Sequence, residues 1–441
     1  MAANATAVWR VRPSGSNTNG GGYDPGIASA GTDYSQANAA AFSQSSTANT
    51  TTATTVLTDL GANFTTALIG NAIWVSGTGI TAEFTFIIGV PTSTTLTLQT
   101  SPGTAGTAVS YNIGGGWANF WTNTTSSGPL VPGNIIYILG SGVPTPAMYT
   151  YDYTPQSFVP TSGNQTAGMI VFAGDPATPN GGMPCIKSGA TAIFSSSSNI
   201  GVKSLWVVAS ANNGTVFGFG LSSASGLVSG CVFDQFGYDV EFISGGPFIL
   251  NCEFSSSVAK LGTNAKAAIN FGNSESEIFG CNIHDCIGGG LLGNGFHASF
   301  CVIAKNGAVG ITINAVSFVK NCTIDGNIGN GIEITTQAAL APTGIFNNLI
   351  TNHIGAGIYG LTVDAGAQAA NDMVKGFVDY NTFYGNTTDT NAISYGTHDS
   401  HGGANPYVAE STDNYTLVPA YYNAGTTPSA AFPQNIPGWN G

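Results

Sequence analysis

One short phrase recurs along the second half of the chain and limits what the chain can fold into. In each copy a Cys or Asn is followed by one variable residue and then by Ile or Phe. The copies begin at Cys231, Cys252, Cys281, Cys301, Cys322, Asn348 and Asn381. Successive copies are 20 to 33 residues apart. A base step near 20 with a variable excess predicts one structural coil per copy, with insertions at one loop.

A second phrase, Gly-Ile-x-Ile, follows the first at a nearly constant offset. It begins at Gly310 and Gly331, and a partial copy begins at Gly357. Both phrases alternate with period two, which is typical of short strands with one side inside and one outside. Stacked coils of this kind bury a continuous core that no single coil could bury. The sequence therefore predicts an all-β, right-handed parallel β-helix, the handedness following the general rule for parallel crossovers.

The repeated cysteines are expected to form a stacked ladder inside this solenoid. Free Cys behaves as a small buried hydrophobe, and the Asn residues of the same phrase are expected to stack through their amides. The chain has seven cysteines and no Cys-x-x-Cys. We therefore predict neither disulfides nor a redox or metal role for them, and the odd count fits synthesis in a reducing cytoplasm.

Charged residues make up only 7% of the chain, whose net charge is −13 with nine Lys and Arg in total. No basic patch can be assembled from them, so binding to nucleic acid or to an anionic membrane is not expected. No secretory signal and no membrane-length apolar run is readable. The exterior is therefore expected to be built from Ser, Thr, Asn and Gly.

The chain is expected to have three segments. Residues 1–125 are predicted to form an N-terminal β module for anchoring or assembly, with a small antiparallel sandwich or barrel at 56–116. Residues 126–395 are predicted to form the β-helix, and residues 396–441 a C-terminal cap or strap that protects an exposed strand edge. The Ser- and Thr-rich tract at 43–55 is expected to be extended surface chain.

The two phrases resemble the right-handed parallel β-helix repeat family, which is related to pectate lyases and phage tailspikes, over roughly residues 130–395. A second resemblance concerns the N-terminal part. Trp9-Arg-Val-Arg-Pro, Gly20-Gly-Gly-Tyr-Asp-Pro, Gly31-Thr-Asp-Tyr-Ser-Gln and the stretch at 70–78 look like the N-termini of phage and uncultured-virus structural proteins. This second resemblance implies a component of a virion.

The resemblance to enzymes of this fold implies chemistry for which the residues are largely missing. A pectate-lyase-like enzyme would need acidic calcium ligands and an Arg base, yet Arg10 and Arg12 are the only arginines. A polygalacturonase-like hydrolase would need paired Asp residues and Arg-x-Lys, and neither occurs. A different glycosidase needs two carboxylates about 5–9.5 Å apart, for which Asp239, Glu241 and Glu333 are the candidates. Glu333 is expected to lie between Thr312 and Tyr359 of the flanking coils.

Binding sites of other kinds have candidates too. Outward tyrosines that could stack on sugar rings are Tyr149, Tyr151, Tyr153, Tyr238 and Tyr359, for which a subunit interface is the alternative explanation. His398, Asp399 and His401 are the densest group of possible metal ligands, and a Gly-rich loop is their ordinary explanation. No cofactor is predicted.

Two functions are compatible with these features. The first is a structural virion protein, made in the host cytoplasm and placed on the virion exterior as a tailspike, other appendage or capsid decoration. It is expected to be a homotrimer, to contact other virion proteins through its N-terminal module and to touch host polysaccharide. The second is a phage depolymerase with a carboxylate-based site.

Overall fold

The computed structural model describes residues 4–50, 54–78, 80–102, 106–125, 128–140, 151–153, 161–164, 166–179, 182–188, 199–209, 220–221, 226–234, 240–242, 246–255, 267–272, 276–335, 343–363, 378–394, 396–409 and 414–417. They form β-strands and one helical turn, Thr66–Leu68. No helix in this part of the chain has the length and apolar character needed to span a membrane. The chain divides into two compact units, a first unit of Met1–Tyr153, Phe158–Lys187 and Ser197–Trp206, and a second unit of Thr154–Ser157, Ser188–Ser196 and Val207–Gly441.

The strands of the first unit are β1 (Val8–Val11), β2 (Gly22–Tyr23), β3 (Phe42–Thr50), β4 (Val56–Thr58), β5 (Ala72–Thr78), β6 (Ile80–Thr92), β7 (Thr95–Leu98), β8 (Gly106–Ile113), β9 (Ile135–Ile138), β10 (Tyr151–Tyr153), β11 (Ile170–Gly174), β12 (Cys185–Ser188) and β13 (Ile200–Lys203). Strands β3 to β8 close into a barrel in the order β3-β4-β7-β6-β5-β8. The predicted small antiparallel module is therefore confirmed. Its core includes Leu57, Ile73 and Tyr111, all fully buried.

The Ser- and Thr-rich tract is extended and mostly exposed, as predicted, but residues 43–50 of it belong to strand β3 of the barrel. β3 pairs with β8 in antiparallel register and has bulges on both sides of Ala48. Ala48 is completely buried in the barrel core, and Thr50 is nearly so. Small side chains fit inside a narrow barrel, but they carry no strong hydrophobic signal in the sequence.

Strand β1 lies in a parallel sheet rather than in the barrel, beside β9, which is followed by β11 and β13. Its Trp9 is fully buried and stacks on Trp117 with ring centroids 4.8 Å apart. The Trp9 indole donates a hydrogen bond to Asn134 Oδ1 at 3.0 Å. One aromatic side chain thus ties the start of the chain to the first parallel strands.

The second unit begins with β14 (Trp206–Ala209), β15 (Gly220–Leu221), β16 (Leu227–Ser229), β17 (Val232–Asp234), β18 (Val240–Phe242), β19 (Phe248–Leu250), β20 (Glu253–Ser255), β21 (Ala267–Phe271), β22 (Ser276–Phe279), β23 (Asn282–His284), β24 (Gly289–Gly293) and β25 (Phe296–Ser299). It continues with β26 (Val302–Ala304), β27 (Ile311–Ile313), β28 (Phe318–Lys320), β29 (Thr323–Asp325), β30 (Ile332–Ile334), β31 (Gly344–Phe346), β32 (Leu349–Thr351), β33 (Leu361–Val363), β34 (Val378–Asp379), β35 (Thr382–Tyr384), β36 (Thr390–Asn391), β37 (Ser400–His401), β38 (Tyr407–Ala409) and β39 (Asn414–Leu417).

Three stacks of parallel strands build this unit, and each coil gives one strand to each stack. Sheet A contains β16-β19-β22-β25-β28-β31-β34, sheet B contains β17-β20-β23-β26-β29-β32-β35-β37, and sheet C contains β15-β18-β21-β24-β27-β30-β33-β36. The predicted parallel solenoid is confirmed. Sheet B continues to β37, one strand past the last copy of the repeated phrase.

The cysteines form the predicted ladder at the corner between sheets A and B. Cys281, Cys301 and Cys322 are buried and precede consecutive strands of sheet B. The N–H of Cys231 donates to Cys252 Sγ, and the N–H of Cys252 donates to Cys281 Sγ, at 3.5 and 3.4 Å. Burial raises the pKa of the Cys281 and Cys322 thiols. The ladder therefore supplies acceptors to backbone groups that the turn leaves unpaired.

Asn replaces Cys at the same register in the following coils. The N–H of Cys322 donates to Asn348 Oδ1 at 2.9 Å, and the N–H of Asn348 donates to Asn381 Oδ1 at 3.1 Å. Asp399 ends the series by accepting from the N–H of Asn381 at 2.7 Å. Each corner side chain thus bonds the backbone of the coil before it.

The register predicted for one coil of sheet C is wrong by three residues. The strand is β33, which follows Gly360, and Thr362 rather than Tyr359 pairs with Glu333. Gly360 and Gly357 both precede an apolar residue, so the phrase alone does not distinguish them. Three extra residues extend the turn, which leaves Ile354 70% exposed.

A second ladder of amides lies between sheets B and C and contains a buried histidine. Asn306 and Asn327 are hydrogen-bonded at 2.9 Å, and Asn327 Nδ2 lies 3.3 Å from His353 Nε2. His353 Nδ1 lies 3.0 Å from Asn386 Oδ1, an acceptor, so Nδ1 carries the proton. Burial lowers the pKa of His353 to about 4, although the Asn386 hydrogen bond opposes the shift.

Because its pKa is lowered in the folded state, His353 makes the free energy of unfolding decrease as the pH decreases. An unfolded chain protonates His353 near pH 6.5, whereas the folded chain keeps it neutral down to about pH 4. The unfolded state therefore binds more protons in this window, and about 3 kcal/mol of folding stability is lost as pH falls through it. Asn at this position would continue the amide ladder without titrating. We expect the free energy of unfolding, measured by urea unfolding at about pH 7 and about pH 4.5, to decrease less in His353→Asn than in the unsubstituted chain. An unchanged loss in the variant contradicts this assignment.

The antiparallel hairpin β38–β39 lies over the outer side of sheet B. Its Tyr407 and Leu417 pack on Leu349. The Tyr407 hydroxyl lies 2.7 Å from Thr351 Oγ1, which donates to Asp325 Oδ1 at 2.6 Å. The hairpin thereby places the Tyr407 hydroxyl over Thr351 of sheet B, whose own hydroxyl holds the buried Asp325 carboxylate.

Candidate functional site

Two of the three carboxylates proposed from the sequence, Glu241 and Glu333, lie on distant coils. Asp239 lies outside the described residues. Glu241 is on β18, four strands from Glu333 on β30 in sheet C, and at about 4.8 Å per strand their backbones are about 19 Å apart. This exceeds the separation that a two-carboxylate glycosidase uses. Glu333 instead accepts a hydrogen bond from Asn330 Nδ2 at 3.0 Å and is flanked by Thr312 and Thr362.

The candidate tyrosines are divided between buried and undescribed positions. Tyr149 and Tyr238 lie outside the described residues, as does the side chain of Tyr153, whose backbone is in β10. Tyr151 is buried and donates its hydroxyl proton to the Leu139 carbonyl at 3.0 Å. Burial raises the pKa of Tyr151. Tyr359 lies half-buried in the turn before β33. Tyr151 is therefore a core residue and cannot stack on a sugar.

The side chains proposed as metal ligands have separate partners. His398 Nδ1 lies 2.9 Å from Asp379 Oδ2, and its ring stacks on Tyr380 with centroids 4.5 Å apart. Asp399 Oδ1 accepts a hydrogen bond from the N–H of Asn381, and His401 Nδ1 lies 3.4 Å from Asp389 Oδ2. Within the described ranges, no group of three His, Cys, Asp or Glu side chains is arranged to hold a metal ion.

Both arginines of the chain are held in one ion-pair network of the first unit. Arg10 and Arg12 contact the same oxygen of Asp175 at 3.1 and 3.2 Å. Arg10 also contacts Asp33 at 3.5 Å and lies over the Tyr137 ring. The Asp175 side chain is 2% exposed. Asp175 acts to raise the pKa of Arg12, but burial outweighs it, so the pKa is lowered overall. Both guanidinium groups are nonetheless engaged with carboxylates inside the first unit.

The outer side of sheet A, with the turn after β25, carries two exposed and three half-buried rings, here called the aromatic stripe. It consists of Phe248, Phe279, Phe300, Phe318 and Phe346. Phe248 and Phe279 are 52% and 45% exposed, and Phe279 lies against Phe300 with centroids 5.2 Å apart. The alternate positions of the same strands, such as Ile278, are completely buried. Exposed contiguous rings of this kind mark an interaction surface.

Polar groups interrupt the aromatic stripe. Glu277 and His297 are cross-strand neighbours, and His297 Nδ1 lies 2.9 Å from Glu277 Oε1. The imidazole meets the Phe318 ring edge-on at 5.0 Å. Lys320 is exposed on the same strand as Phe318. Rings beside hydrogen-bonding groups are the usual composition of a ligand site.

A second cluster, on sheet B, joins two carboxylates through one imidazole. His284 Nε2 lies 3.3 Å from Glu253 Oε1, and His284 Nδ1 lies 2.9 Å from Asp285 Oδ2. Burial lowers the pKa of His284, but the two carboxylates outweigh it, so the pKa is raised overall. Both carboxylates are about half exposed. The cluster is a charged surface group whose histidine favours the protonated form.

The comparisons with known proteins agree with the fold. Residues 217–374 match the family model described as a right handed beta helix region. This match and the stacked parallel sheets together show the right-handed parallel β-helix that the repeated phrases predicted. A comparison with curated protein sequences finds no match.

Distant matches to this chain are found among solved structures, with low identities and low TM-scores. Pectate lyase Pel9A is 13% identical, with 70% of this chain and 82% of that chain covered and a TM-score of 0.38. The A-module of mannuronan C-5 epimerase AlgE4 from Azotobacter vinelandii is 12% identical, with coverage of 62% and 89% and a TM-score of 0.27. The tailspike protein gp49 from Pseudomonas phage LKA1 is 11% identical, with coverage of 83% and 62% and a TM-score of 0.15. These likenesses do not separate a structural from an enzymatic role.

Proposed function

We propose that this protein is a non-enzymatic structural component of a phage exterior, an appendage, tailspike or capsid decoration, which binds a host-surface glycan through the aromatic stripe. The observation that carries the proposal is the exposure of Phe248 and Phe279 beside the Glu277–His297 pair. Rings offer flat apolar surface, and the carboxylate and imidazole offer partners for hydroxyl groups. The occupied arginines speak against lyase chemistry.

The rest of the proposal concerns assembly. The N-terminal module would attach the protein to other virion proteins, and the chain would associate as a homotrimer. The low content of charged residues and the N-terminal resemblance support this placement. Native mass spectrometry of the purified chain tests the trimer, and a monomer that persists at micromolar concentration contradicts it.

The glycan site is tested by removing two rings. We expect Phe248→Ala combined with Phe279→Ala to weaken binding to a recognised polysaccharide about tenfold or more, because each ring contact contributes about 0.5–1.5 kcal/mol. Ile328 and Ile354 are similarly exposed apolar residues that lie in turns away from sheet A. The matched control is therefore Ile328→Ala combined with Ile354→Ala, with binding measured by biolayer interferometry. Equal binding by both double variants contradicts the assignment of the site.

The second candidate function is a depolymerase, favoured by the placement of Glu253 and Asp285 on two sides of His284. Two carboxylates near each other are the minimum for glycoside hydrolysis. This function requires release of reducing ends from a bound polysaccharide and loss of that release in Glu253→Gln and Asp285→Asn. Release that persists in both variants removes this cluster from consideration, and absence of release from all substrates favours the structural role.

A further inference from the structure

The aromatic stripe also indicates what kind of glycan it takes, an inference that rests on the proposed function. We infer that the ligand is an uncharged polysaccharide, bound as an extended chain that runs from coil to coil along sheet A. The charges on the stripe, the spacing of its rings and the placement of its polar groups all favour such a ligand.

The charges disfavour an acidic polymer. Lys320 is the one Lys or Arg among the described outward positions of the strands of sheet A from β16 to β34, and Glu277 places a carboxylate in the middle of the stripe. An acidic polysaccharide repeats its negative charge along its length, so an extended complex would need cations on successive coils. Screening limits the reach of an exposed charge to about 8 Å, and Lys320 therefore serves only one part of the stripe.

The spacing of the rings favours a polymer over a single sugar. The stripe runs from β19 to β31, which are four strand steps apart in sheet A. At about 4.8 Å per step the rings cover about 19 Å. A monosaccharide can contact only one or two of them, whereas a chain that follows the solenoid axis contacts all. Affinity should therefore rise steeply with oligosaccharide length.

The polar groups argue against a second copy of this chain as the occupant. Packing of protein on the stripe would bury Glu277 and Lys320, which lie among the rings, and the cores of protein interfaces are depleted of charged residues. A hydrated polysaccharide leaves both groups in contact with water. It can also donate hydroxyl protons to the Glu277 carboxylate, which lies 2.9 Å from His297 through only one of its oxygens.

The test measures binding of the full chain to neutral dextran, mannan and laminarin and to acidic alginate, polygalacturonate and hyaluronate. We expect at least one neutral polymer to bind, with at least tenfold loss in the Phe248→Ala, Phe279→Ala variant and less than twofold change in Lys320→Ala. Within a bound series, oligosaccharides too short to span the stripe should bind at least tenfold more weakly than long ones.

The outcomes separate this inference from the proposed function. Binding of an acidic polymer that depends on Phe279 and Lys320 overturns the uncharged ligand and leaves glycan binding in place. Binding of short and long neutral oligosaccharides with equal affinity overturns the extended chain. Binding to none of the polymers, together with a stripe that becomes protected in a self-associated form, overturns the proposed glycan site and the inference with it.

Discussion

Asp175→Ala is expected to destabilise the first unit by about 3–5 kcal/mol, because it leaves the buried Arg12 and the partly exposed Arg10 without their shared carboxylate. Arg10 and Arg12 both contact Asp175 Oδ2, and Arg12 is only 4% exposed. The second carboxylate, Asp33, reaches Arg10 alone. The loss should thus exceed what a surface ion pair contributes, about 0–1 kcal/mol.

The matched variants of this prediction separate charge from local geometry. Asp175 Oδ1 accepts the N–H of Ala177 at 2.8 Å, and Asp175→Asn can keep that bond while it removes the charge. Asp33→Ala removes the more exposed partner and should cost clearly less. Urea unfolding followed by the fluorescence of buried Trp9 and Trp117 measures all three. A midpoint of Asp175→Ala equal to that of the unsubstituted chain contradicts the role of the network.

Asn348→Ala is expected to cost about 3 kcal/mol or more in the second unit, since each buried polar group left unpaired costs about 1–3 kcal/mol. Asn348 Oδ1 accepts the N–H of Cys322. Its Nδ2 donates to the Val319 carbonyl and to Asn381 Oδ1, both at 3.0 Å. The truncation therefore breaks three contacts between neighbouring coils.

The ladder itself supplies the control for this prediction. Cys occupies the same register in the five preceding coils, where Sγ of Cys252 or Cys281 accepts the N–H of the coil before. Asn348→Cys keeps an acceptor for the N–H of Cys322 and should cost clearly less than Asn348→Ala. Both are measured by urea unfolding. Equal losses in the two variants show that the hydrogen bond of the ladder contributes little.

The solenoid was predictable because its repeated phrase reflects a repeated physical need. Every turn between sheets A and B leaves a backbone N–H inside the coil, and only a small buried acceptor fits there, so Cys281, Cys322 and Asn348 recur at one register. The register of the coil at β33 was mispredicted because the second phrase, Gly-Ile-x-Ile, contains no buried hydrogen-bond acceptor that fixes its position. Gly357 and Gly360 look alike in sequence, and only hydrogen bonding to the coil before decides between them.

The aromatic stripe was not predicted, because its phenylalanines lie outside the two repeated phrases. The position three residues before each Cys or Asn of the repeat is always small or aliphatic, as at Ile249, Ile278 and Ile345, and these side chains are buried. By alternation, the residue that lies two positions before the Cys or Asn faces outward. Phe279 occupies that position, so a comparison of the coils column by column could have placed it on the surface.

The Glu253–His284–Asp285 cluster depends on a pairing that the sequence does not reveal. Glu253 pairs with Asn282 across sheet B, and His284 is two residues further along that strand. The two coils are separated by the unusually long step of 29 residues from Cys252 to Cys281. The contact between Glu253 and His284 therefore depends on the strand register after the inserted loop. It also depends on side-chain rotamers, which the repeated phrase does not specify.

A structure of the protein bound to a long neutral oligosaccharide would show directly whether the glycan lies on the aromatic stripe. We expect a sugar chain that lies along sheet A. The rings of Phe248, Phe279 and Phe318 should lie against its sugar faces, and Glu277 should accept hydrogen bonds from its hydroxyl groups. A chain bound instead across Glu253 and Asp285 on sheet B, with the stripe uncovered, contradicts the account and transfers the site to the carboxylate cluster.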